Sequence, residues 1–117
     1  MKDFRKLIVW EKAHLLILKI YKLTVQYPRE ELYGLTSQIR RVCVSIPTNI
    51  VVGCVRSSDA DFARFLYIAL GSTSELEYLI LLSMDLNFIK SELQEELNTE
   101  INEVKKMLIS MIQKLKA

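Results

Sequence analysis

The sequence predicts an all-α protein, an antiparallel up-down-up-down four-helix bundle with a proline-kinked second helix, formed by a single domain over residues 1–117. Glycine and proline are scarce, with three and two residues in 117, whereas sheet proteins need many more turn residues. Apolar residues recur at alternating steps of three and four along four long segments, which is the period of an amphipathic helix. The short connections between these segments favour antiparallel neighbours.

The first helix is predicted over residues 4–26. Its apolar seam is formed by Trp10, Ala13, Ile17, Ile20 and Thr24. Further leucines fall off this seam: Leu15, Leu16, Leu18 and Leu23. A helix this apolar around its circumference needs a second covering surface. We therefore predict a partner subunit.

The second helix is predicted over residues 29–55, after a break at Tyr27-Pro28. Pro47 lies in its middle and cannot donate a hydrogen bond to the carbonyl of Cys43, so the helix is expected to kink there. Polar residues stand beside this proline: Ser45, Thr48 and Asn49. The simpler interpretation of these residues is local repair of freed backbone groups. A specific functional role is the alternative.

The third helix is predicted to begin after a capping pattern at Ser58 and Asp61 and to run to about residue 85. Its seam is formed by Phe62, Phe65, Ala69, Thr73, Leu76, Ile80 and Ser83. More apolar residues lie elsewhere on it: Tyr67, Ile68, Tyr78, Leu81 and Leu82. This is again more apolar surface than one core consumes. Gly71 costs about 1 kcal/mol of helix propensity, which the close approach of a neighbouring helix would explain.

The fourth helix is predicted over residues 92–115, after a capping box formed by Ser91 and Gln94. Its seam is formed by Leu97, Ile101, Val104, Leu108, Met111 and Leu115. Acidic residues stand at its start and basic residues at its end, which matches the helix dipole. Because its polar face is continuous, we expect it to be the solvent-facing outer helix.

Charge, cysteine content and hydropathy predict a cytoplasmic protein without membrane association. The formal net charge of +2 does not by itself imply a polyanionic partner. Cys43 and Cys54 lie about 16 Å apart along a helix, too far for an intrachain disulfide, which favours a reducing compartment. The uncharged run over residues 42–55 is too short and too polar to span a bilayer. Charged residues interrupt the early apolar run, unlike in a signal peptide.

The sequence offers no catalytic or metal-binding motif, and we predict a protein that is not an enzyme and uses no cofactor. There is no phosphate-cradling glycine loop and no nucleophile elbow. With one histidine, His14, the Glu-x-x-His pairs of di-metal bundles cannot form. Glu75 and Glu77 point to different faces of their helix. One of them is expected to neutralise an arginine of the second helix.

Four arginines are the candidate nucleic-acid-binding residues: Arg40, Arg41, Arg56 and Arg64. The first two are adjacent and point about 100° apart on a helix, and the other two flank the second connection. Together they would form a basic patch that contacts phosphates. The alternative is ordinary solvated or salt-bridged arginine. No basic run interleaved with aromatic residues is present, so recognition of a specific base sequence is not predicted.

Several motifs occur along the chain in a characteristic order. They are Val9-Trp10-Glu11-Lys12-Ala13, Tyr33-Gly34-Leu35-Thr36-Ser37-Gln38-Ile39-Arg40-Arg41, Ser45-Ile46-Pro47-Thr48-Asn49-Ile50, Ala69-Leu70-Gly71-Ser72 and Glu75-Leu76-Glu77. With these motifs the chain resembles, over nearly its whole length, the small bacterial four-helix-bundle family of 23S rRNA intervening sequence proteins. The accessory variability protein of diversity-generating retroelements is similar to that family. The positions to which we assign a structural role are Gln38, Pro47, Asn49, Gly53, Gly71 and Glu75.

The resemblance implies a homo-oligomer, a pentameric barrel of four-helix bundles. It also implies binding of nucleic acid or of a reverse transcriptase through basic surfaces. The chain departs from the family pattern at Val51-Val52-Gly53, where Val52 replaces a glutamate. If that carboxylate pairs with an arginine or holds the subunit interface, its loss leaves an arginine unpaired or changes the packing. A role that depends on this carboxylate is therefore not expected in this chain.

Three functions compete at this point. The first is an oligomeric protein that binds RNA or DNA, favoured by the basic middle of the chain and by the resemblance. The second is a scaffold or adaptor for another polypeptide, such as a reverse transcriptase, with no nucleic-acid binding of its own, favoured by the near-zero net charge. The third is a small enzyme, for which a ligand coordinated by Glu75, Arg41 and Asn49 would be needed.

Overall fold

The computed structural model describes residues 2–117, which form four α-helices and no strand. The helices are α1 (Ile8–Thr24), α2 (Leu35–Cys54), α3 (Asp59–Asp85) and α4 (Ser91–Lys116). Two single turns of 3-10 helix, Phe4–Lys6 and Arg29–Glu31, precede α1 and α2. The prediction of an all-α chain with four helices is confirmed.

The four helices pack side by side into a bundle of 43 × 24 × 20 Å. α3 packs along both α2 and α4, and α1 contacts α2 and α4. The connections after α1 and α3 meet through the rings of Tyr27 and Phe88, whose centroids are 5.5 Å apart. The backbone amide of Lys2 donates to the carbonyl of Cys54 at 3.0 Å, so the N-terminal segment lies against the end of α2.

The core residues follow the helical period in every helix, but their phase in α1 differs from the predicted one. The buried residues of α1 are Val9, Ala13, Leu16, Ile20 and Thr24. Trp10 and Ile17 are only partly buried, and Leu16, predicted to lie off the seam, is in the core. The buried face of α1 is rotated relative to the predicted seam because α1 packs between α2 and α4. The sequence of α1 alone does not specify this packing.

The second helix begins later than predicted, at Leu35 rather than near residue 29. Residues 29–31 form a separate 3-10 turn, and Gly34 interrupts the helical path with φ −111° and ψ −111°. The Glu31 carboxylate accepts a hydrogen bond from the backbone amide of Leu35 at 3.0 Å. Because this carboxylate satisfies one of the free amides at the start of α2, the turn serves as a cap instead of continuing as helix.

Pro47 lies inside α2 and is buried. Thr48 Oγ1 donates to the carbonyl of Val44 at 2.7 Å, and Asn49 Nδ2 donates to the carbonyl of Ser45 at 2.8 Å. Thr48 and Asn49 thus bond to local carbonyls, but neither bonds to the carbonyl of Cys43, which is the one that the proline leaves without its donor. The Ser45 hydroxyl contacts the side chains of Ser72 and Asn49 instead of the backbone. The predicted repair of the freed carbonyl is therefore wrong for these three side chains.

The predicted capping interactions differ between the last two helices. Ser58 Oγ accepts from the amide of Asp61 at 3.1 Å and caps α3 as expected. The predicted capping box of Ser91 and Gln94 is wrong, because Lys90 is the N-cap of α4 and caps it with no side chain. Ser91 is already helical, and its hydroxyl donates to Glu92 Oε1 at 2.8 Å.

Glu77 joins α3 to α4 through two hydrogen bonds. Its carboxylate accepts from Lys105 Nζ at 2.5 Å and from Asn102 Nδ2 at 3.0 Å. Glu75 instead accepts from Gln38 Nε2 at 3.4 Å. The prediction that one of these glutamates neutralises an arginine of the second helix is therefore wrong. The reason is that Glu77 faces α4, where a lysine is available.

We expect the pair formed by Glu77 and Lys105 to make stability depend on pH. The Lys105 hydrogen bond, more than the amide of Asn102, holds the pKa of Glu77 below its ordinary value. A depressed folded-state pKa gives stability that is present above the unfolded-state pKa, about 4.3, and is lost as the pH falls through the folded-state pKa. In urea unfolding at pH 7, Glu77→Gln should cost about 1 kcal/mol.

The same variant should lose less stability than the wild type when the pH is lowered from 5 to 3. Glu96→Gln is the matched control, since its carboxylate pairs with Lys19 at a more exposed position. Exposed ion pairs contribute little, so the control should stay close to the wild type. Equal effects of both substitutions would show that burial of the Glu77 pair has no energetic consequence.

Within residues 2–117, α3 is the one helix long and apolar enough to cross a membrane, with a mean hydropathy of 1.3 over 18 residues. One third of that window, 33%, is buried inside the bundle. Core helices of soluble proteins satisfy the same criterion, so this is weak evidence for a membrane span.

Candidate nucleic-acid interface

Arg40 is tied to α1. Its guanidinium lies 4.7 Å above the ring of Tyr21. Its Nε donates to Thr24 Oγ1 at 2.9 Å, and its terminal nitrogen donates to the carbonyl of Tyr21 at 3.4 Å. These contacts fix α1 against α2 near the end of α1. They leave Arg40 half-buried and give it a structural role.

Arg41, its neighbour, is exposed and makes no hydrogen bond or ion pair to any side chain of residues 2–117. Adjacent positions on a helix point about 100° apart. Arg41 therefore does not share the contacts of Arg40 with α1. It is available to an anion but stands by itself.

Arg56 and Arg64 come together at the connection between α2 and α3. Their guanidinium carbons lie 4.7 Å and 4.4 Å from the centroid of the Phe65 ring. Asp61 lies beside both: Arg64 Nε is 2.9 Å from its Oδ1, and Arg56 Nε is 3.9 Å from its Oδ2. The two arginine side chains remain 39% and 60% exposed. One carboxylate is thus shared by two accessible cations, and the pair keeps a positive charge.

The four predicted arginines therefore form two separate groups and no continuous patch. About 20 Å of helix separates Arg41 from Cys54, the last residue of α2. The predicted single patch is therefore not formed, because the length of α2 keeps the first two arginines away from the connection.

Other basic residues were not singled out by the sequence, although the fold brings them to the second group. Lys2 lies against the end of α2 through its amide. Lys116 Nζ lies 5.6 Å from the centroid of the Tyr67 ring and donates to the Tyr67 hydroxyl at 3.3 Å. Their charges are visible in the sequence, but their proximity depends on long-range packing.

The residues given a structural role lie mostly between α2 and α3. Gln38 contacts Glu75, and Asn49 bonds to Ser45 Oγ at 3.0 Å, which in turn lies 2.9 Å from Ser72 Oγ. A Cβ atom on Gly53 would lie 2.8 Å from Phe62 Cδ1 and 3.1 Å from Phe65 Cβ, so Gly53 permits close packing.

Gly71 behaves differently. A Cβ atom there would meet nothing within 4 Å, and the residue is exposed. The expectation that a neighbouring helix approaches Gly71 is wrong within one chain, because this position faces away from the bundle.

The two cysteines and the histidine are the residues to which nucleophilic or metal chemistry could be assigned from the sequence. Burial raises the pKa of the Cys43 thiol to about 12 and also raises the pKa of the Cys54 thiol, so neither forms a nucleophilic thiolate near neutral pH. His14 is exposed and stacks on Trp10 with ring centroids 5.1 Å apart. Among residues 2–117, no group of three histidine, cysteine or acidic side chains could hold a metal ion.

The fold and these sites define a small all-α bundle protein with accessible arginines at its surface. The chain belongs to the family of 23S rRNA-intervening sequence proteins, whose sequence pattern matches residues 5–110. The family assignment made from the sequence motifs is confirmed. No curated protein shows significant sequence similarity to the chain.

A solved structure supports the same assignment. It is a protein of unknown function from the S23 ribosomal protein family of Bacteroides thetaiotaomicron VPI-5482. It is 30% identical to this chain and superimposes with a TM-score of 0.83. The match covers 91% of this chain and 96% of the other.

Proposed function

We propose that the protein is a cytoplasmic, non-enzymatic, oligomeric bundle that binds RNA or DNA by contacting phosphates. The observation that carries this proposal is the pair formed by Arg56 and Arg64, held over Phe65 at the connection between α2 and α3. Guanidinium groups bind phosphate oxygens through paired hydrogen bonds. Two accessible groups beside one carboxylate leave the positive charge that a phosphate backbone requires.

The contacts of the connections support an up-down-up-down arrangement. The connection after α1 and the connection after α3 meet at one end of the bundle. The N-terminal segment contacts the end of α2. Pro47, inside α2, supports a kink in that helix.

Exposed apolar side chains support the proposed homo-oligomer, which we take to be a pentameric barrel as the family resemblance implies. They include Leu15 and Leu18 on α1, and Ile68, Tyr78 and Leu81 on α3. They match the excess apolar surface predicted for the first and third helices. A second copy of the chain would remove this surface from water.

The test is a titration of the purified protein with labelled RNA and DNA at low and moderate salt, after its mass has been measured by light scattering. We expect an oligomer whose affinity falls steeply with salt, since bound phosphates release counterions. Arg56→Gln combined with Arg64→Gln should weaken binding about tenfold or more and reduce the salt slope by about 1 to 2.

Arg41→Gln is the matched control for Arg64→Gln, because each removes one exposed charge from one of the two groups. Arg41 stands by itself, so we expect a smaller loss of affinity than from Arg64→Gln. Equal losses would place the phosphate contacts along α2 instead of at the connection. A monomeric protein, or a protein that binds neither nucleic acid, would contradict the proposal.

The exposed apolar surface also favours a second candidate, a scaffold or adaptor for another polypeptide such as a reverse transcriptase. Apolar patches of this kind mark protein interfaces. This candidate predicts an oligomer that binds neither RNA nor DNA but forms a stable complex with one polypeptide. The same titration therefore separates the two functions.

A further inference from the structure

Hydrogen bonds and cation–ring contacts connect three parts of the chain at the end of the bundle where α2 ends and α3 begins. The N-terminal segment meets Cys54 through the amide of Lys2. Arg56, two residues after Cys54, shares the Phe65 ring with Arg64. One helical turn further along α3, Tyr67 contacts Lys116 at the end of α4. The N-terminal segment, the α2–α3 connection and the end of α4 thus form one continuous surface, which we call the basic end.

We infer that the basic end is a binding site for single-stranded nucleic acid, built from these three segments. This inference rests on the proposed function and deepens it, because it names the form of the nucleic acid and adds residues from both ends of the chain. The proposed function needs only arginines that contact phosphate; the inference needs the terminal lysines and an aromatic ring as well.

Charge supports this assignment. The basic side chains of these segments are Lys2, Arg5, Lys6, Arg56, Arg64, Lys114 and Lys116. The acidic ones are fewer: Asp3, Asp59 and Asp61. Asp61 is already engaged by two arginines. The surface is therefore strongly positive although the whole chain carries only +2, and phosphate groups are the anions that such a surface attracts over an extended length.

Aromatic rings support the choice of a single strand. Cations lie over rings here at Phe4, Phe65 and Tyr67. Unpaired bases stack on aromatic side chains and on arginine guanidinium groups, and both kinds of group are accessible here. Tyr67 is 49% exposed and offers part of its own ring. Bases in a duplex are already stacked on one another, so only a single strand can use these surfaces.

An anionic membrane is the competing polyanion, since Ile8 and Val55 are exposed apolar residues at this end, but the aromatic ring of Phe65 does not favour it. Surface binding to a bilayer combines basic residues with apolar side chains that insert. Phe65 at the basic end is covered by two guanidinium groups and is only partly exposed. It is arranged to hold cations outward rather than to enter lipid.

The experiment compares labelled oligo(dT) and oligo(U) of 15 nucleotides with a duplex of the same length, using the full chain. Lys6→Gln with Lys116→Gln removes two charges from the basic end. Lys22→Gln with Lys106→Gln removes two exposed charges elsewhere. We expect the first variant to bind the single strands about tenfold more weakly, with a salt slope smaller by about 1.4. The second should bind like the wild type.

Tyr67→Leu tests stacking without changing charge. We expect it to weaken single-strand binding at least fivefold and to leave the salt slope and the weaker duplex binding unchanged. Circular dichroism confirms that each variant is folded.

The outcomes separate the two proposals. A wild type that binds no nucleic acid contradicts both. Binding that is lost with Arg56→Gln and Arg64→Gln, yet unaffected by the Lys6, Lys116 and Tyr67 substitutions, leaves the proposed function standing and overturns the three-segment site. Tighter binding to the duplex, or to vesicles containing 30% phosphatidylserine, also overturns it.

Discussion

Gly53→Val should destabilise the bundle by about 3 kcal/mol. The residue lies near the end of α2, where a Cβ atom would be 2.8 Å from Phe62 Cδ1 and 3.1 Å from Phe65 Cβ. Phe62 is buried and part of the core, so its ring cannot move aside without disturbing other side chains. Overpacking of this kind costs about 1–3 kcal/mol, and a valine side chain carries three carbon atoms into the contact. Urea unfolding followed by circular dichroism measures the loss.

Gly71→Val is the matched control in α3. A side chain at this position meets nothing within 4 Å in the chain, so its stability should stay within about 0.5 kcal/mol of the wild type. If both variants lost the same stability, the effect would come from glycine replacement itself and not from the Phe62 contact. Loss of the oligomer on Gly71→Val would mean that another subunit approaches this glycine.

Leu76→Ala should cost about 2–5 kcal/mol. Leu76 is 0% exposed and belongs to the core cluster. It lies on α3, which packs along both α2 and α4, so the cavity would open at the centre of the bundle. Surrounding side chains from three helices can relax only partly into that space. The expected result is a lower urea midpoint with an unchanged slope.

Leu81→Ala makes the same chemical change on the same helix at a position that is 41% exposed. Within a single chain it should cost less than about 0.5 kcal/mol. Measuring both variants at two protein concentrations separates the effects, since a lost core contact is independent of concentration and a lost subunit contact is not. If Leu81→Ala were as destabilising as Leu76→Ala at every concentration, the assignment of Leu81 to the surface would be wrong.

The grouping of the basic residues at the surface depends on contacts that the sequence does not reveal. Arg40 and Arg41 were the obvious basic pair, yet Arg40 is occupied by Tyr21 and Thr24. Arg56 and Arg64 belong together because the chain reverses between α2 and α3, which brings both over Phe65. Lys116 joins them only through the packing of α4 on α3.

The sequence by itself determined the number and approximate extent of the helices and the family. Helical periodicity, scarce glycine and proline, and the break at Pro28 are local properties, and local hydrogen bonding forms a helix. The cap formed by Ser58 could also be predicted from the sequence, because its partner Asp61 is only three residues away.

Only the tertiary structure decided which way each helix faces and which distant groups meet. The core phase of α1, with Leu16 inside and Trp10 partly outside, depends on α2 and α4. The start of α2 depends on a carboxylate from the preceding turn. Glu77 binds Lys105, which lies 28 residues away. Contacts of this kind follow from the packing of whole helices, and that packing is set by the sum of many apolar contacts that no single segment encodes.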